Sequence, residues 1–247
     1  MMDELIRNIR TDLRLAMNGV VSSSMRDKGV DYKMNFGVDI PRIKEIAEKY
    51  EPSSDLAKEL WKLDVRELKI LSTMLYPLDD FNKQKANEWA NEIPNQEIRE
   101  NLCRNLLQEL SYADELVQGW TASSNESLRL TGFWLYVRLM LIEASVVKRI
   151  NTLPIVERAL VDVHSQDSLL SIAALNVLKQ IIRRDFEGAD SIMKQITIFS
   201  TSDNPKEKEI YDNLQFELKI GSWPLKFLLI KNTANTRFII SKMPVPA

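Results

Sequence analysis

The sequence predicts an all-α fold, a HEAT-like helical-repeat superhelix (an α-solenoid) with a concave face. Three observations carry this reading. Turn formers are scarce, with 7 Gly and 9 Pro in 247 residues, too few for the tight hairpins of a β protein. Leu, Ile, Ala, Glu, Lys and Arg dominate, a composition that favours helix. And one short plan recurs along the chain: an apolar helix end, a polar turn, a capping residue and a longer helix.

Taken in order, "NFGVDIPRIKEIA" (35–47) reads as a loop followed by a helix. Ile40 precedes a proline and is not expected to be helical, while Pro41 suits a first turn. Residues 64–77 place Leu68, Leu71, Met74 and Leu75 at helical spacing. Residues 95–110 align Ile98, Leu102, Leu106 and Leu110 on one stripe beside Cys103 and Leu107. Residues 126–142 and 167–182 are apolar nearly all round, as interior helices are. No stretch of the first 215 residues alternates as a strand does.

The recurring plan appears in "LWKLDVREL", "GWTASSNESLRL", "VDVHSQDSLLS" and "FSTSDNPKEKEI", with a fainter copy in "NEIPNQEIREN". Trp61, Ile93, Trp120, Val163 and Phe199 fill the apolar slot, at intervals of 32, 27, 43 and 36 residues. Asp64, Asn125 or Ser124, Asp167, and Asp203 or Asn204 are the expected caps. Imprecise helix-pair repeats of this length characterise HEAT and armadillo solenoids, in which stacking buries faces that no single pair can bury. A single domain over 1–247 is expected, without a linker. The tail 221–247 is rich in β-branched and aromatic residues and fits a last irregular repeat, a short hairpin or a docked tail.

Composition excludes several classes. Cys103 and His164 are the only residues of their kinds, so no internal disulfide and no cysteine/histidine metal site can form. That cysteine usage, with no apolar leader in "MMDELIRNIR", points to the cytoplasm. The longest apolar run is interrupted by Arg138 and Glu143 and is read as a buried helix, not a membrane span. No P-loop, GxSxG or paired-carboxylate motif occurs, and no cofactor is expected. The net charge is −2, but residues 218–247 carry +5 and the remainder −7. Net charge hides such asymmetry and leaves room for a local basic surface.

The stretch "FGVDIPRIKEIA", followed by "ELWKLDVRELKILSTML", resembles the AlkD-type DNA glycosylases of the DNA alkylation repair family. Phe36, Gly37, Val38 and Pro41, then Glu59, Leu60, Trp61, Arg66 and Glu67, carry the resemblance, with Trp120 and Arg129 as a third point. It spans residues 24–185. It implies a superhelix that cradles duplex DNA and excises purines alkylated at N3 or N7 without burying the base in a pocket. Such a base is cationic and its glycosidic bond breaks with oxocarbenium character. An aromatic face and a carboxylate stabilise those charges.

The family's site pairs a Trp and an Asp four residues apart with an Arg on a later helix. On this chain the Trp position falls on Gln96 and the Asp position on Glu100. The Arg position falls on Arg129 or, by strict spacing, on Leu130. An aromatic that relatives place on the second helix is replaced near Lys28. The resemblance makes Glu100 the candidate for stabilising the sugar cation and Arg129 for holding phosphate, with DNA as partner. Each has a structural alternative: Glu100 as an i, i+4 partner of Arg104, and Arg129 as a solvated helix-start residue. Lys148, Arg149, Arg183 and Arg184 are candidate phosphate contacts, although Arg183 and Arg184 also suit a helix C-terminus. Trp120 is a candidate DNA contact whose alternative is inter-repeat packing. A protein-binding scaffold is the competing reading.

Overall fold

A computed structural model describes residues 2–27 and 32–220. Lys28 and the tail 221–247 lie outside the described residues. The helices are α1 (Met2–Leu15), α2 (Gly19–Asp27), α3 (Ile40–Ala47), α4 (Ser54–Lys62), α5 (Arg66–Leu75), α6 (Lys83–Asn91), α7 (Gln96–Asn105), α8 (Ala113–Thr121), α9 (Glu126–Leu141), α10 (Thr152–Asp162), α11 (Ser168–Arg184), α12 (Phe186–Ile196) and α13 (Pro205–Ile220). Among the described residues no strand forms, and one isolated bridge joins Met34 to Val65. The chain divides into two compact units, Met1–Val177 and Leu178–Ala247.

In the first unit, α4 packs on α5 and α8 on α9. The second members of successive pairs then lie side by side, α3 on α5, α5 on α7 and α7 on α9. Side-chain hydrogen bonds show that these neighbours run parallel. Arg66, at the start of α5, reaches Glu97 at the start of α7, and Asn105, at the end of α7, reaches Thr73 near the end of α5. The bonded residues are 31 and 32 positions apart. The same offset recurs for Trp61 with Glu92, at 31, and for Trp120 with Asn87, at 33. In the second unit Lys179 with Asn213 and Arg183 with Glu217 repeat it at 34. The period predicted from the apolar anchors is therefore present as a ladder of cross-repeat contacts.

Caps follow the sequence in most places. Asn125 accepts from the N–H groups of Ser127 and Leu128, Asp167 from Leu169, and Asn204 from Lys206. Asp64 does not cap α5. Val65 takes that position with no side-chain cap, because the Arg66 N–H is already bonded to the Met34 carbonyl. Ile40 is helical, contrary to expectation. Asp39 caps α3 by accepting from the Arg42 N–H, and Pro41 falls in the first turn, where an intrahelical N–H is not needed. Helix α9 is buried on nearly every side, as its sequence predicts. Helix α11 is not, since Leu169 and Ile172 are exposed. Trp61 stacks on Trp89 at 4.2 Å, with Tyr76 and Phe81 edge-on to Trp89.

The loop before α3 explains its glycine. Gly37 has φ +68°, and a Cβ there would stand 2.2 Å from the Asn18 carbonyl oxygen and 2.7 Å from the Ser22 nitrogen. The loop thus lies directly against the start of α2, with Asn18 N–H bonded to the Phe36 carbonyl at 2.9 Å. Both objections to a side chain, the left-handed backbone and the contact with main-chain atoms, act at this one residue. Replacing Gly37 with Ala is expected to lower stability by about 2–3 kcal/mol or more, read as a fall in the urea midpoint at unchanged slope.

Candidate nucleic-acid interface

The starts of α5, α7 and α9 sit together because those helices are parallel neighbours. Their sequences load these starts with charge. Arg66 and Glu67 open α5, Glu97 lies in the first turn of α7, and Arg99 and Arg129 each fill the fourth position of α7 and α9.

Arg66 and Glu67 are both buried. Glu67 accepts from the Phe36 N–H at 3.0 Å and the Val38 N–H at 3.2 Å. Arg66 donates to the Val38 carbonyl, to Glu67 and, through two nitrogens, to Glu97. Burial works against the Arg66 charge, but Glu97 and Glu67 outweigh it and hold the guanidinium above its ordinary value. Tyr32 donates to Glu97 at 2.8 Å and completes the group.

Arg129 is 2% exposed. It grips Asp162 through Nε at 2.8 Å and Nη2 at 3.1 Å and also donates to the Ser123 and Ser124 carbonyls. It is not solvated, and its donors bind protein. Leu130, the strict-spacing alternative, is buried in the core.

Arg99 occupies the equivalent place on α7 and is 5% exposed. Its partners are all neutral: Thr131 at 3.1 Å, Ser127 at 3.1 Å and the Gln96 side-chain oxygen at 2.8 Å. Burial pushes its guanidinium below the ordinary arginine value, and Cys103, Asp167 and Glu100 only partly oppose this. The Gln96 amide nitrogen donates to Glu100 at 3.1 Å. Gln96 therefore bridges a buried cation and a half-buried carboxylate. No Glu100–Arg104 ion pair forms among the described residues. Sequence reasoning passed over Arg99. Aligning the repeats on Arg129 would have found it, 30 positions upstream.

The other candidates lie elsewhere. Trp120 is buried and donates to Asn87 at 2.6 Å. Lys148 is exposed, without an ion pair among the described residues. Arg149 is exposed but grips Asp114 at 2.6 and 2.7 Å, and that bond holds the Asp114 carboxyl below its usual range. Arg183 pairs with Glu217 and Arg184 with Gln180, all within the second unit. Cys103 is fully buried, and burial pushes its thiol up to about 12. Among the described residues no group of His, Cys, Asp and Glu could hold a metal, and no helix is long and apolar enough to cross a membrane.

Helix pairs stacked on one another, tied layer to layer by side chains one repeat apart, define a HEAT-like helical-repeat protein. The family model described as DNA alkylation repair enzyme matches residues 9–193, and the chain belongs to that family. A solved structure described as "a new family of proteins related to the HEAT-like repeat DNA glycosylases with affinity for branched DNA structures" aligns with a TM-score of 0.68 at 16% identity, covering 87% of this chain and 94% of that one. At that identity the likeness is one of fold. No curated protein sequence matches the chain.

Two outcomes are expected. Arg129→Ala lowers stability by about 2–3 kcal/mol, the loss of charge-assisted bonds to Asp162, which keeps Arg158 as a partner. Arg129→Met combined with Asp162→Leu recovers much of that loss, which a double-mutant cycle by urea unfolding measures. The Cys103 thiol resists a disulfide reagent at pH 8 in the folded protein and reacts at once in denaturant. Because its folded value is raised, its contribution to stability is complete below the ordinary thiol range and is lost as pH climbs toward about 12.

Proposed function

We propose that this protein binds DNA in alkylation repair by recognising DNA structure, with α5, α7 and α9 providing the binding side, and does not excise bases by the aromatic-plus-carboxylate route. The observation that carries this reading is the Gln96 bridge between Arg99 and Glu100. An alkylated purine needs an aromatic face at that position, and Gln96 offers none. The alkylated base starts out positive and passes that charge to the sugar as the bond breaks, and Arg99 places a buried cation, only partly offset by Asp167 and Glu100, beside the carboxylate meant to stabilise it. Like charges repel, so a cation at this place raises the barrier to forming the sugar cation. A DNA phosphate meets the opposite field.

Arg129 serves the scaffold in this reading, holding the α9 start against Asp162, and Trp120 likewise packs. Lys148 is the most available of the candidate phosphate contacts. Arg149, Arg183 and Arg184 are secondary, since each already has a protein partner. Affinity for branched DNA, described for the structural relative, is the binding mode proposed for this chain. The cytoplasm is the proposed location.

Purified protein is expected to bind a four-way junction more tightly than linear duplex of equal length, with affinity falling steeply with salt. It releases no methylated purines from alkylated DNA above background, and Glu100→Ala behaves as the wild type does. Release above background that disappears in Glu100→Ala would overturn the reading in favour of a glycosylase.

A further inference from the structure

Helix α1 carries Arg7, Arg10 and Arg14 at spacings of three and four, which puts them on one helix face. Ile9 and Leu13 are buried beside that face, where α1 packs on α3 and α4. Among the described residues, none of the three guanidiniums makes an ion pair or a hydrogen bond. This is not for want of carboxylates on the helix, since Asp12 is engaged by Lys49 at 3.2 Å and Tyr50 at 3.0 Å. Elsewhere in the same unit Arg66, Arg129, Arg149 and Arg158 all bond carboxylates. The α1 face is thus a stripe of three guanidiniums with no bonded carboxylate, roughly 10 Å from first to last arginine at 1.5 Å per residue, with Asp3 and Glu4 in the turn before it.

The stripe runs directly into an apolar turn. Leu15 is 82% exposed, Met17 60% and Val20 81%. Single exposed apolar residues are ordinary, but three in one turn mark a contact surface. The turn is held firmly. Asn18 bonds the Phe36 carbonyl through its main chain, its side chain accepts from the Val21 N–H at 3.1 Å, and Ser22 donates to the Asn35 carbonyl at 3.1 Å. Gly37 is seated against it from the other side.

We propose that the α1 arginine face and the Leu15–Met17–Val20 turn together form a contact for branched DNA. The arginines hold phosphates of one arm, and the apolar side chains cover the base-pair face that is exposed where arms diverge. Charge complementarity selects the phosphate backbone. The apolar turn selects the branch, because an intact duplex presents no open base face, and apolar side chains are the usual cover for unstacked steps. A membrane surface fits less well, since the apolar face of α1 is already spent on α3 and α4. This inference rests on the proposed binding of branched DNA and names the surface that confers the preference.

The test uses the full chain, a four-way junction and a linear duplex of equal length. Its two variants are Arg7→Gln/Arg10→Gln/Arg14→Gln and Leu15→Ser/Met17→Ser/Val20→Ser, each checked for wild-type thermal unfolding. The arginine variant is expected to weaken both DNAs together and to flatten the salt dependence by about two to three in log–log slope. The apolar variant is expected to weaken the junction about tenfold and the duplex far less. A wild type with junction preference and two variants that retain it would overturn this surface while leaving the functional reading intact. A wild type with no junction preference would overturn the functional reading itself. Binding of anionic vesicles by the wild type, lost in both variants and unaccompanied by any change on DNA, would assign the surface to membranes instead.

Discussion

The buried pair Arg66–Glu67 is the contact on which the first unit depends. Glu67 holds two main-chain N–H groups of the loop before α3, and Arg66 holds a carbonyl of the same loop while reaching Glu97 on the next repeat. One dipeptide therefore fixes a loop behind it and a helix ahead of it. Buried charges are costly when left alone and tolerable when every donor and acceptor is met. Here the loop backbone supplies part of the neutralisation, which ties the loop's conformation to the charge state of the core. Gly37 belongs to the same constraint. The loop can present Phe36 and Val38 to one carboxylate only by turning between them, and the turn lies where a Cβ would meet main-chain atoms of Asn18.

Much of the fold was legible because it rests on short-range signals. Scarcity of glycine and proline, apolar stripes at helical spacing, and caps such as Asn125 and Asp167 are all local, and with the recurring anchors they bracket the repeat period seen in the cross-repeat bonds. Asp64 and Ile40 were misread for a shared reason. At both, a distant or neighbouring partner took over the role that local rules assign: the Met34 carbonyl at the start of α5 and the Asp39 carboxylate at the start of α3. Helix α11 was expected to be interior from its composition, yet it exposes Leu169 and Ile172. Apolarity shows which faces could be buried, while the neighbours decide which are.

The candidate site was less legible, because its character lies in pairing rather than in residue type. Three arginines at helix starts look alike in sequence. In the structure Arg66 is bonded to two glutamates, Arg129 to Asp162, and Arg99 to no carboxylate. Glu97 and Asp162 lie about one repeat from Arg66 and Arg129, a separation at which one sequence offers many acidic residues and no means of choosing between them. Arg99 was hidden by the same ambiguity. An arginine flanked by Glu97 and Glu100 looks paired, yet Glu97 is taken by Arg66 and Tyr32, and Gln96 intervenes before Glu100.

The ladder of contacts one repeat apart has a consequence for how such a chain can lengthen. Neighbouring layers are held by bonds near helix starts and ends, so the alignment of one layer on the next is set within the helices. The segments between them are relieved of that duty. Added or lost residues there lengthen or shorten a connection without sliding one layer along another, and closing a somewhat longer loop costs little. The unequal spacing of Trp61, Ile93, Trp120 and Val163 is what such freedom leaves behind in a sequence: fixed joints, with connecting pieces cut to different lengths.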